Sequence, residues 1–244
     1  MPRASDRRGE LVVASYNVHR CIGADGLTIP ERVAEVLRGL EADVVALQEV
    51  DSTLPEHGLD QLELLARALA AHAVPGPTLL HRRGTYGNAL LVRRPVLAVR
   101  RHDLSVGTTE PRGALDVDLD LGDAVVRVVA THFGLGRRER HRQAAVLLAL
   151  LGPSTGPTVL LGDFNEWLPR TGARRLFDRR FGPSAQPATY PAALPLFGLD
   201  RIWVDPASAL LDVEVHRTAL TRIASDHLPL RARLDLGALR PIAP

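Results

Sequence analysis

The sequence is short of several features that would point to particular classes of protein. It has one cysteine, Cys21, no lysine, and aromatic residues at only 4% of its 244 positions. A lone cysteine excludes an internal disulfide framework. The net charge is only +2, because thirty arginines are set against twenty-eight acids. The low aromatic content and the small net charge argue against a dedicated nucleic-acid surface, which needs clustered cations and stacking rings.

Long hydrophobic runs are missing as well. No stretch approaches the roughly 20 apolar residues that a membrane-spanning helix needs, and the first apolar run, Leu11 to Ala14, is too short for the core of a signal peptide. We therefore expect a soluble cytoplasmic protein. Hydrophobic residues make up 45% of the chain and no Pro-rich linker divides it. This composition predicts one domain over residues 1–244, with a flexible tail at 1–9.

The most informative stretch is Thr158 to Trp167, in which an apolar run is followed by a glycine turn and two polar side chains, Asp163 and Asn165. If the extended conformation persists beyond Gly162, side chains two apart point to the same side of the strand. The stretch then indicates a functional site, although a buried strand that ends in an Asx turn has the same local pattern.

Further strand patterns also end in polar groups. Leu11 to Val18 delivers Asn17, Asp43 to Leu47 is followed by Glu49, and Ala124 to Thr131 ends at His132. The other strands are predicted at Thr78–His81, Gly87–Val92, Pro95–Asp103, Arg112–Leu121, Gly198–Val204, Leu210–Arg217 and Leu228–Leu234. Helices are predicted at Thr28–Leu40, Leu59–Ala71, Arg138–Leu151 and Leu168–Phe181, with loops at 75–77 and 183–196. Strands joined in part by helices and in part by hairpins favour two mixed, mostly antiparallel sheets packed face to face with helices outside.

Carboxylates and amides without cysteine suit a hard cation such as Mg²⁺ or Mn²⁺, with Glu49 as the best single ligand. Asn17 could add a carbonyl oxygen or hold a metal-bound water. Zinc is disfavoured because no H-E-x-x-H or paired Cys and His spacing occurs. Six histidines are expected to be ordinary solvated or locally bonded side chains: His57, His72, His81, His102, His141 and His216.

Two charged segments have simpler interpretations. Asp116, Asp118 and Asp120 alternate along a strand and predict a solvated face rather than a second metal site. Arg137, Arg138, Arg140 and Arg142 could contact phosphates, but next to Glu139 at a helix start they equally predict a solvated face.

Eight segments together resemble the endonuclease/exonuclease/phosphatase superfamily, the DNase I-like proteins, and in particular its small bacterial members. In chain order they are SYNVH, LQEVD, GNALLV, PRGAL, THFG, GDFNE, GLDRIW and SDHLPL. They extend from residue 11 to 230. The ordered set is specific, whereas one segment alone would be weak. The resemblance implies a four-layer α/β/β/α sandwich with its site at one open end.

The resemblance also implies roles for single residues. Glu49 would hold the divalent cation, with Asp226 near it, and Asp163 would orient or deprotonate the attacking water. Asn165 would donate to a phosphate oxygen. His227 corresponds to the essential histidine of the family, with Asp200 aligning it, and whether Asp163 or His227 takes the proton of the water stays open.

Arg112 and His132 are assigned to phosphate binding, and His132 also to leaving-group stabilisation. The alternatives are a surface arginine and a structural strand-end histidine. We therefore predict a divalent-metal-dependent phosphoesterase, most simply a phosphodiesterase that uses an activated water. Its substrate would be a phosphodiester of nucleic-acid, phospholipid or small-molecule type. A non-catalytic binding protein that retains the fold is the alternative.

Overall fold

The computed structural model describes residues 9–53, 60–82, 84–167 and 172–240. The strands are β1 Glu10–Asn17, β2 Val44–Thr53, β3 His72–His81, β4 Gly84–Val92, β5 Val96–Asp103, β6 Gly113–Asp120, β7 Val125–His132, β8 Thr158–Asp163, β9 Asp200–Asp205, β10 Leu210–Val215 and β11 Leu230–Asp235. The helices are α1 Pro30–Leu40, α2 Gln61–Leu69, α3 Arg137–Leu151, α4 Gly172–Phe181 and the single turn α5 Thr221–Ala224. No helix in these ranges is long and apolar enough to cross a membrane.

The strands form two mixed sheets. One has the order β10-β11-β1-β2-β4-β3 and the other β5-β6-β7-β8-β9. Each sheet contains one parallel pair, β1 with β2 and β7 with β8, and its other pairs are antiparallel. In a parallel pair both carboxyl ends lie at the same edge, so the polar residues at the ends of these four strands can meet.

The apolar residues divide into three layers. An aliphatic cluster that includes Val13, Leu90 and Val128 fills the space between the sheets. A second cluster joins α1 and α2 to the outer face of the six-stranded sheet. A third, built on aromatic residues such as Phe177 and Trp203, joins α3 and α4 to the other sheet. The predicted α/β/β/α sandwich is therefore confirmed.

Some predicted boundaries were wrong. Residues 75–77 belong to β3 and not to a loop. Their prolines are tolerated because β3 is the edge strand of its sheet. Strand β2 continues beyond Leu47 to Thr53, with an irregular register between Leu47 and Val50. The predicted positions 1–8, His57, Leu59, 168–171 and 241–244 lie outside the described residues.

The predicted solvated faces were wrong at two positions. Asp116 is completely buried, because Arg100 and His102 of β5 and Arg127 of β7 all reach its carboxylate. Arg140 is also buried, and it forms an ion pair with Glu166. In both cases the partner comes from another element, which the strand or helix pattern alone does not reveal.

Candidate active site

At the site end of the sandwich, the side-chain amide of Asn17 connects strand ends of the two sheets. Asn17, the last residue of β1, donates from Nδ2 to Glu49 Oε1 at 2.8 Å and to Asp163 Oδ2 at 3.1 Å. Its own Oδ1 accepts from the backbone N–H of His19 at 3.0 Å. Asn17 therefore presents its nitrogen to the site and holds two carboxylates, one from each sheet, close together.

Asp163 and Asn165 converge through a turn and not through a continued strand. A Cβ at Gly162 would lie 2.0 Å from the carbonyl oxygen of Thr131, so only glycine fits there. Asn165 has a left-handed φ of 51°, and its backbone N–H donates to Asp163 Oδ1 at 2.9 Å. This is the Asx-turn geometry that asparagine tolerates well. The Asn165 side chain donates to the carbonyl of Phe133 at 2.9 Å.

His227 is paired with two buried aspartates. Its Nδ1 lies 2.9 Å from Asp200 Oδ2, and its Nε2 lies 3.6 Å from Asp163 Oδ2. Burial alone would lower the pKa of His227, but the charges of Asp200 and Asp163 and the hydrogen bond to Asp200 raise it to about 10. The loop that carries His227 is held against β1, because Ser225 Oγ donates to the Asn17 carbonyl at 2.7 Å.

The surroundings of His132 lower its pKa, whereas those of His227 raise it. Arg112 Nη1 lies 3.2 Å from its Nδ1. A guanidinium can only donate, so Nδ1 accepts, and the amide nitrogen of Asn165 lies 3.2 Å from Nε2 on the other side of the ring. Burial, with the Arg112 charge adding to it and Asp163 opposing it, lowers the pKa of His132 to about 3. His132 is therefore a neutral imidazole next to a charged one.

A small cavity of about 250 Å³ opens over these groups. Of the predicted site residues, all except Asn17 and Asp200 line it, including Glu49, Arg112 and Asp226. Asn17 and Asp200 lie behind the lining and hydrogen-bond to it. The structure thus brings all nine predicted residues to one end of the sandwich, and their individual roles remain predictions.

Several lining residues were missed by the sequence reasoning. Glu110 accepts a hydrogen bond from Arg112 at 3.0 Å, and its position two residues away was the only available signal. The Tyr190 ring packs on the His227 imidazole with 4.9 Å between centroids. Trp167 and Tyr86 complete an aromatic lining. Tyr190 lies in a segment predicted only as a loop, so no pattern linked it to His227.

The donor set fits a divalent cation. Four carboxylates, those of Glu49, Glu110, Asp163 and Asp226, line this small cavity, where Arg112 is the only arginine among the described residues. Closely spaced carboxylates repel each other unless a cation lies among them. Asp163, Asp200 and His227 also place one potential ligand atom each within 4.8 Å of one another. However, Nδ1 of His227 is already used by the hydrogen bond to Asp200.

A four-layer sandwich that carries a histidine–aspartate pair and clustered carboxylates at one end defines a class of protein, the DNase I-like fold with a phosphoesterase-type site. Comparison with known proteins makes this assignment specific. The chain belongs to the Endonuclease/Exonuclease/phosphatase family, whose model matches residues 14–227. Members of this family are generally hydrolases that act on phosphoester bonds, and they commonly use divalent metals.

Individual relatives agree with the family assignment. The chain is 31% identical to protein YbhP of Escherichia coli K12 over 250 residues, which cover 92% of this chain and 96% of that one. A crystal structure of an endonuclease/exonuclease/phosphatase from Beutenbergia cavernae is 26% identical and superposes with a TM-score of 0.76, covering 97% of this chain and 74% of that one. The human Nocturnin catalytic domain, at 20% identity and a TM-score of 0.70, shares the fold over 92% of this chain and 93% of its own.

Proposed function

We propose that the protein is a divalent-metal-dependent phosphodiesterase that uses a water nucleophile. One observation carries this proposal: the His227–Asp200 pair, Asp163 and the carboxylates of Glu49 and Asp226 all meet at one small cavity. Phosphoester hydrolysis builds negative charge on the non-bridging oxygens, and the cavity supplies groups that can stabilise this charge.

Glu49 and Asp226 would hold Mg²⁺ or Mn²⁺, and Asn17 would keep Glu49 in place through its amide. When bound, the cation supplies positive charge to the phosphate oxygens as a Lewis acid. Both carboxylates are partly exposed to the cavity, so they can reach an incoming ion.

The other groups would contact either the substrate phosphate or the attacking water. Arg112 and the amide of Asn165 would donate to phosphate oxygens, and the neutral His132 between them would lie next to a phosphate or leaving-group oxygen. Asp163 and Nε2 of His227, 3.6 Å apart, would contact the same water, and Asp163 would take its proton because the charged His227 ring already carries a proton on each nitrogen. Asp200 fixes the ring orientation of His227 through Nδ1.

The direct test is hydrolysis of a soluble aryl phosphodiester by the wild type and by Glu49→Ala, with Mg²⁺, with Mn²⁺ and with a chelator. We expect metal-dependent turnover that Glu49→Ala reduces by about a hundredfold or more. Glu35→Ala, on the exposed side of α1, is the matched control and should keep wild-type turnover. No turnover in the wild type with either metal would overturn the proposal and favour a non-catalytic binding protein.

A further inference from the structure

The rim of the cavity differs in chemistry from its interior. Leu135 and Trp167 both line the opening, and they are 70% and 37% exposed. Phe197 packs its ring against Trp167 with 5.0 Å between centroids, and 38% of it is exposed. On this side, large apolar side chains therefore reach from the cavity into solvent.

A short turn brings two more leucines to the same side. Tyr190, which lines the cavity, forms an isolated antiparallel bridge with Phe197. Between them lie Leu194 and Leu196, which are 68% and 65% exposed. The N–H of Ala192 donates to the carbonyl of Asp226, so the turn is fixed to the loop that carries a cavity residue. We define the apolar rim as Leu135, Trp167, Leu194, Leu196 and Phe197.

The apolar rim has the composition of an interfacial surface. Single exposed leucines are normal, but several large apolar groups around one opening mark a contact site. Two exposed arginines, Arg137 and Arg138, begin α3 two residues after Leu135 and form no ion pair with any described residue. Leucine and tryptophan next to unpaired arginines complement a bilayer that carries anionic headgroups.

We infer that the apolar rim docks the protein on a lipid bilayer containing anionic phospholipid, and that the cavity takes the phosphodiester of a phospholipid headgroup. This inference rests on the proposed function and names its substrate class. A cavity of about 250 Å³ holds a phosphodiester and little of its substituents, so the rest of a larger substrate must contact the rim. Acyl chains and the bilayer interface match leucine and tryptophan.

A nucleic-acid strand matches the same surroundings less well. Glu49, Glu110 and Asp226 line the cavity. A polynucleotide carries a phosphate at every nucleotide and needs a track of cations. Its neighbouring phosphates would lie against these carboxylates or against the leucines, whereas a phospholipid has to place only one phosphodiester in the cavity.

The test compares two double variants of the full chain. The rim variant is Leu194→Asp with Leu196→Asp. The matched control is Leu97→Asp with Leu211→Asp, which removes two exposed leucines near the starts of β5 and β10, at the end of the sheets opposite the cavity. Each protein is sedimented with vesicles of phosphatidylglycerol and phosphatidylcholine and with vesicles of phosphatidylcholine alone. Hydrolysis of vesicle phospholipid and of a soluble aryl phosphodiester is measured in parallel.

We expect the wild type and the control to bind the anionic vesicles, and the rim variant to bind about tenfold more weakly or worse. Hydrolysis of vesicle lipid should fall about tenfold further in the rim variant than hydrolysis of the soluble ester. The inference is overturned if the wild type binds neither kind of vesicle, or if the rim variant binds the anionic vesicles as strongly as the control does. It is also overturned if the wild type binds a single-stranded oligonucleotide instead, or if the rim substitutions change only self-association in sedimentation velocity. If the wild type binds vesicles through the apolar rim but hydrolyses neither substrate, the docking surface is supported and the proposed function is contradicted.

Discussion

Two buried carboxylate clusters lie on the same five-stranded sheet and differ in how completely their charges are satisfied. The first, which we call the paired cluster, is Asp116 with Arg100, Arg127 and His102. Both arginines donate to both carboxylate oxygens of Asp116, and His102 lies 2.9 Å from one of them. Every acceptor is occupied, and no capacity remains for a ligand.

The second, the cavity cluster, is Asp163, Asp200, His132 and His227. Asp163 accepts from the Asn165 backbone and the Asn17 amide, and its Oδ2 is 3.5 and 3.6 Å from the two imidazoles. Asp200 Oδ1 is buried and accepts no hydrogen bond from any residue in the described ranges.

The contrast shows that burial of a carboxylate does not by itself indicate function. A buried charge with a full set of donors holds strands together, whereas one with incomplete donors next to a cavity is available to a ligand, water or metal. Substitutions in the cavity cluster should therefore lower activity, and substitutions in the paired cluster should lower stability.

The largest expected effect is on activity in the cavity cluster. We expect His227→Ala to lower kcat/KM for a soluble aryl phosphodiester by about a thousandfold, because both its proton transfer and its charge are lost. His216→Ala, a partly buried histidine on the loop after β10, is the control and should retain activity. A loss of less than about tenfold in His227→Ala would contradict its role.

Next is a stability effect in the paired cluster. Asp116→Asn should lower the free energy of unfolding by about 2 to 3 kcal/mol, since it leaves Arg127 without a carboxylate and Arg100 with that of Asp118 alone, while the partial exposure of both arginines reduces the cost. Urea denaturation measures this loss, and kcat/KM of the folded protein should not change. Asp118→Asn, which removes a partly exposed partner of Arg100 alone, should cost less than about 1 kcal/mol.

The same substitution has a pH signature. The two arginines and His102 overcome the effect of burial and hold the pKa of Asp116 well below its usual value of 3.8. A depressed carboxyl pKa contributes stability that is present above 3.8 and is lost as the pH falls towards the folded pKa. Wild-type stability should therefore decrease below about pH 4 more steeply than that of Asp116→Asn. Parallel stability curves for the two proteins would contradict this assignment.

A smaller effect is expected at the phosphate contact. Arg112→Lys keeps the charge but loses the planar fork, so KM should rise about tenfold with a smaller change in kcat. Arg67→Lys, on the exposed face of α2, is the matched control. A decrease in kcat at constant KM would instead indicate that Arg112 acts only in the transition state.

The smallest effect is spectroscopic. With a pKa lowered to about 3 by burial, the His132 imidazole should not titrate between pH 5 and 8. Nitrogen NMR of the histidine rings measures this directly, and His132→Gln identifies the resonance by its loss. Because the folded pKa lies below the ordinary 6.5, the neutral ring stabilises the fold above that pH, and this contribution decreases as the pH falls towards 3. A midpoint near 6.5 would show that His132 is not held neutral.

The sequence by itself determined the family, the sandwich fold and the strand ends that carry the site. These features follow from local patterns: an apolar strand, a glycine turn and an oxygen-bearing side chain, repeated in a specific order along the chain. Gly162 is an example, because its φ of 152° is a backbone conformation that residues with a side chain rarely adopt.

The tertiary structure alone decided which side chains complete these local groups. Asn17 reaches Asp163 across 146 positions, and Tyr190 packs on His227 from a segment without any regular pattern. Asp116 has the alternating pattern of a solvated strand, yet cations from two adjacent strands bury it. Periodicity describes the face on which a residue lies, but the partners that cover that face come from distant segments, and their positions are fixed only when the sheets pack.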